Sequence, residues 1–120
     1  MQKNKIGLEG EEIAKAYLQQ NEVQILAVDY RFLRCQVDLI GLFKNQLIAY
    51  EVKTTAKDAY ANHMIYRLST RQLQRILKAT YHFMKINGIH KEMQVDFIAV
   101  VITDGKIDIQ HTRDIQYFIG

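Results

Sequence analysis

Two apolar segments, residues 35–43 and 46–54, are separated only by Lys44 and Asn45. A spacer that short can only turn the chain back on itself, so the pair reads as an antiparallel hairpin whose register the turn dictates. With a two-residue turn Asp38 stands opposite Glu51, and Gln36 stands opposite Lys53. A four-residue loop keeps this pairing, whereas a three-residue loop offsets it. Strict alternation then puts Gln36, Asp38, Glu51 and Lys53 on one face, and Val37, Leu39, Tyr50 and Val52 on the other. Opposed Cβ atoms lie about 5 Å apart, and two carboxylates that close repel unless something offsets them. A divalent cation does so; magnesium takes a few carboxylates and keeps several waters. Lys53 would then stand beside the metal, placed to orient a water or to stabilise charge on a phosphate. The competing reading is a solvated face on which Lys53 neutralises both acids. The setting speaks for the first, because Asp38 is embedded among Val37, Leu39 and Ile40 and Glu51 between Tyr50 and Val52.

The remaining elements follow from periodicity. Residues 5–20 read as a helix with Ile6, Ile13, Ala14, Tyr17 and Leu18 on one stripe. Residues 23–32 read as a strand, and 56–68 show no clean period and read as a loop. Tyr60, His63, Met64 and Tyr66 of that loop are suited either to stack on bases or to anchor it to the core. Ser69 followed by Gln72 forms a capping-box pattern. The helix it opens carries Leu73, Ile76, Leu77, Thr80, Phe83 and Met84 on one face and stops near Asn87 and Gly88. Gln72 needs no role beyond the cap. Residues 94–103 form an apolar strand, Asp104 and Gly105 a tight turn, and residues 106–111 a partner strand. The order α-β-β-β-α-β-β predicts one α/β domain over 1–120, a mixed sheet flanked by helices. Proline is absent, so glycine is expected at most turns.

Composition removes several classes. Hydrophobic residues at 48% and charged residues at 24% exclude a disordered chain. The single Cys35 excludes a disulfide framework and reads as a small buried hydrophobe. His63, His82, His90 and His111 have no metal-ligand spacing, and His111 reads as the cap of a sheet edge. No apolar run approaches the roughly 20 residues of a membrane span, and no apolar signal core follows the first residues, so a cytoplasmic protein is expected. The net charge of +3 permits a polyanionic partner without requiring one. Arg71, Arg75, Lys78, His82 and Lys85 recur at helical spacing as a basic stripe, either a solvated face or a track for a phosphate backbone.

An aspartate in one strand followed by Glu-x-Lys in the next resembles the PD-(D/E)XK nuclease core. More narrowly, the chain resembles the YraN-like family of predicted endonucleases, itself similar to Holliday-junction resolvases. Four blocks carry the likeness in order: Gly10, Glu11 and Ala14 before Tyr17 and Leu18; Cys35 to Ile40; Tyr50 to Thr54; and Gln94 to Ile98. The resemblance implies a restriction-endonuclease-like fold and a Mg²⁺- or Mn²⁺-dependent endonuclease that hydrolyses phosphodiester bonds in DNA, branched DNA included, as a homodimer. It implies Asp38, Glu51 and the Val52 carbonyl as metal ligands, Lys53 as the residue that positions water, and Glu11 as a further ligand from the first helix. On the helical wheel Glu11 borders the apolar stripe while Glu12 points away; alternatively, Glu11 is a first-turn acid favoured by the helix dipole. Two positions depart from the family. Cys35 and Gln36 replace a Gly-Glu pair, and Gln94 replaces an arginine. Gln36 would meet nucleic acid, with Arg71, Arg75 and Lys78, without a charge of its own. It also points to the alternative, a nucleic-acid-binding module that keeps the fold without turnover. A third possibility is a structural protein whose acidic face pairs with another chain. Asp96 is left outside the catalytic set.

Overall fold

The computed structural model describes residues 5–56 and 68–117. Helix α1 (Lys5–Gln20) leads into strands β1 (Gln24–Phe32), β2 (Cys35–Phe43) and β3 (Gln46–Thr55); helix α2 (Thr70–Ile86), strands β4 (Met93–Thr103) and β5 (Lys106–Thr112) and a 3-10 turn (Ile115–Tyr117) follow. The sheet runs in chain order, β1-β2-β3-β4-β5. Only β3 and β4 are parallel, and α2 is the crossover that a parallel pair needs. The predicted α/β class and element order are those observed. Most of the loop expected over 56–68, with Tyr60, His63, Met64 and Tyr66, lies outside the described residues.

Local chemistry sets the boundaries. The Ser69 hydroxyl accepts the Gln72 N–H at 3.0 Å and starts α2. At its far end Gly88 takes φ 63°, and Ile89 N–H returns to the Met84 carbonyl at 2.9 Å, a Schellman closure. Lys44 and Asn45 both take positive φ, 47° and 65°, which matches the twist of the flanking strands and gives the register Leu39–Tyr50 to Phe43–Gln46. Glycine does not dominate the turns. Among the described residues Glu22, Asp29, Leu33, Lys44, Asn45, Asp104 and Asp114 take positive φ alongside only Gly88 and Gly105. Asp and Asn tolerate this conformation by bonding locally; a leucine or glutamate there costs about 1–2 kcal/mol.

The helices cover opposite faces. Ala14 and Leu18 of α1 pack with Leu39, Ile48, Tyr50, Val52, Ile98 and Val100. Leu73, Ile76, Phe83 and Met84 of α2 pack with Val37, Ile40, Leu47, Ala49, Val95 and Phe97. Two expectations change. Ile6 is 60% exposed, and the buried face of α1 is Gly10, Glu11, Ala14 and Leu18. Val37 lies on the α2 side while Leu39 lies on the α1 side, so alternation breaks at Asp38.

A buried polar cluster fastens the α1 face. Asp96 is fully buried and accepts from Gln94 Nε2 at 2.7 Å, His111 Nε2 at 2.7 Å and the Asp114 N–H at 3.1 Å. His111 Nδ1 lies 2.9 Å from the Tyr17 hydroxyl, and its ring stands edge-on to Tyr17 and Tyr50. His111 is therefore no edge cap; it turns inward from an edge strand and ties α1 to β4. Gln94 supplies a neutral donor to the buried acid. Among the described residues no helix is long and apolar enough to cross a membrane.

Burial, reinforced by the Asp96 carboxylate and partly opposed by Arg113, pushes the Tyr50 phenol well above its ordinary 10.0. The folded chain thus holds a proton that the unfolded chain releases from about pH 10 upward. Stability present below that pH is lost as pH rises, by up to about 1.4 kcal/mol per pH unit from this group. Urea unfolding followed between neutral and strongly alkaline pH will show that decline, and Tyr50→Phe will make it shallower.

Candidate metal centre

Three carboxylates from three elements converge. Single ligand oxygens of Glu11 (α1), Asp29 (β1) and Asp38 (β2) all lie within 4.8 Å of one another. Glu11 and Asp38 are 6% exposed and Asp29 is half-buried. The donor set is all hard oxygen, which suits a divalent cation such as magnesium or manganese. Like charges this close repel, so a cation between them lowers the energy of the cluster.

Each arm has a local cause. The Asp38 carboxylate accepts the Val52 N–H at 2.8 Å. A backbone donor of β3 is thus satisfied by a side chain of β2, and the backbone register of the pair ends at Leu39 and Tyr50. The side chain lies between the strands, which is why alternation fails here. Asp29 sits opposite that break. The β1–β2 register passes from Val28–Leu39 to Tyr30–Val37, and Asp29 between them takes φ 50°. Gln36 Nε2 donates to Asp29 Oδ1 at 2.9 Å and fixes its carboxylate.

Glu11 arrives because α1 comes unusually close to the sheet. A Cβ on Gly10 would lie 1.8 Å from Thr54 Oγ1, so only glycine permits this approach. Glu11 is in the second turn, and the first turn of α1 holds no acid, so the helix-dipole alternative has no footing. Glu12 is exposed.

Of the residues singled out by sequence, Glu11 and Asp38 are brought into this group. Glu51 is buried next to Val52 and pairs with Lys53, Nζ to Oε1 being 3.3 Å, while Lys53 reaches solvent. Gln36 holds Asp29. Arg71, Arg75 and Lys78 are exposed on α2, the helix on the opposite face from α1. The basic stripe is not continuous, because His82 turns onto β1. Its ring stacks on Phe32 with centroids 3.7 Å apart, and its Nδ1 lies 2.5 Å from the Tyr30 hydroxyl. Asp29 escaped the sequence reading. Its signal was a charge between Val28 and Tyr30, the same kind of signal that marked Asp38 and Glu51.

Residues 10–100 match the uncharacterised protein family UPF0102. A UPF0102 protein of Christiangramia forsetii is 32% identical over 115 residues, covering 96% of both chains. One from Flavobacterium psychrophilum is 26% identical over 114 residues, covering 95% of both. One from Shewanella sediminis is 32% identical over 94 residues, covering 78% of this chain and 80% of its own.

The Gly10 contact can be tested by stability. Alanine favours a helix interior by about 1 kcal/mol. Against that gain, Gly10→Ala must push Thr54 or the helix aside, at about 1–3 kcal/mol. Urea unfolding should show a net loss for Gly10→Ala, and a smaller loss for Gly10→Ala in a Thr54→Ala background.

Proposed function

The chain belongs to UPF0102, the YraN-like family of predicted endonucleases, and on that footing we propose that it is a divalent-metal-dependent endonuclease acting on DNA. The observation that carries the reading is the convergence of Glu11, Asp29 and Asp38 beside the strand bearing Glu51 and Lys53. The residues that would hold the cation are Asp38 and Glu51 with the Val52 carbonyl, joined by Glu11 and by Asp29. When bound, magnesium or manganese supplies positive charge to the scissile phosphate and acidifies water. The Val52 N–H keeps Asp38 aimed without reorganisation during turnover. Glu51 tethers the Lys53 ammonium, which is exposed enough to meet a phosphate and to orient the attacking water. The whole chain would act as one unit in the cytoplasm, and paired cleavage of two strands, as in branched DNA, would take two copies.

Calorimetric titration with Mn²⁺, followed by incubation with linear, flapped and branched DNA, tests this. Wild type binds the ion and cleaves; Asp38→Asn and Glu51→Gln lose both. Lys53→Ala retains the ion and slows cleavage by about 10²–10⁴-fold. Salt-sensitive DNA binding that survives the Asp38 and Glu51 changes, with no cleavage by wild type, would make the chain a binding module instead.

A further inference from the structure

Strands β1 and β2 are joined by Leu33 and Arg34 alone. Leu33 takes φ 57° and is 75% exposed, more than any other large hydrophobic side chain among the described residues. A leucine there is strained by its backbone and gains little from packing; glycine or asparagine would serve the turn better. Strain kept at an exposed tip is a reason to look for a partner.

The surroundings indicate which one. Arg31 and Arg34 flank the tip and both are exposed. Phe32 is braced by its stack on His82 of α2. Four residues before His82 stands Lys78 and three after it Lys85, so both border the face that meets the hairpin. With Arg71 and Arg75 they give α2 four cations and no acid. Through Phe32 and His82 the hairpin is thus held against the helix that carries these cations, and the same two strands carry Asp29, Gln36 and Asp38.

We propose that the β1–β2 tip is a wedge for nucleic acid: Leu33 enters an unstacked base step while Arg31 and Arg34 meet the flanking phosphates. Apolar side chains inserted between bases do this elsewhere, and arginine positions the backbone. The choice of nucleic acid as partner rests on the nuclease reading. The substrate class is thereby narrowed to strands with an already weakened step, where the unstacking cost is least.

The test is binding without chemistry, in EDTA, by fluorescence anisotropy. One probe is a duplex with a central mismatch and 2-aminopurine beside it; the other is the same duplex fully paired. Wild type should prefer the mismatched probe by about tenfold and raise the 2-aminopurine signal. Leu33→Gly suits φ 57° and should melt no lower than wild type, yet lose both the preference and the signal. Arg34→Gln should weaken both probes alike. The proposal is overturned if Leu33→Gly keeps the preference, or if wild type has none. Mn²⁺ calorimetry on wild type separates the two ideas: no ion bound, with a preference that Leu33→Gly abolishes, removes the nuclease reading and keeps the wedge.

Discussion

The bond from the Val52 N–H to the Asp38 carboxylate organises this molecule. In an ordinary ladder that donor would take a carbonyl of the neighbouring strand. Here a side chain takes it, so β2 can diverge from β3 without orphaning a buried N–H. At this point the carboxylates of Asp29 and Glu11 come up to that of Asp38. A carboxylate fixed by the backbone also loses little rotamer freedom when a ligand arrives, since that freedom is already spent on the fold.

Helix α1 is fastened at two points of different chemistry. Near its start Gly10 lies against Thr54 and lowers Glu11 into the sheet. About two turns further on, Tyr17 meets His111, which meets Asp96. Two kinds of buried acid are thus separated on one face. Asp96 accepts from a glutamine, a histidine and a backbone N–H, the pattern of a structural carboxylate. Glu11, Asp29 and Asp38 instead bring ligand oxygens together, the pattern of a group assembled around a cation.

Much of this was legible in sequence, for identifiable reasons. The β2–β3 register followed from a two-residue turn, and the limits of α2 from Ser69 and Gly88, because these are local signals. The burial of Glu11 was readable from the helical wheel. What failed was non-local. Strict alternation could not anticipate that Asp38 would bond β3 in the plane of the sheet and rotate Val37 to the other face. Asp29 was hidden because its role depends on the break opposite it. His111 and His82 were misread because their partners, Asp96, Tyr17 and Phe32, are brought to them only by tertiary packing. Glycine was expected at most turns, yet among the described residues only Gly88 and Gly105 take positive φ, beside Glu22, Asp29, Leu33, Lys44, Asn45, Asp104 and Asp114.

The parallel contact between β3 and β4 has a consequence in time. The meander β1-β2-β3 is closed by tight turns and needs only short loops to form. Tyr50 meets Asp96 only after more than a third of the chain has been looped out and α2 laid across, a closure with a larger entropic cost. Topology therefore makes the crossover the slow step of refolding, while the strands bearing Asp29, Asp38 and Glu51 belong to the quick, local part.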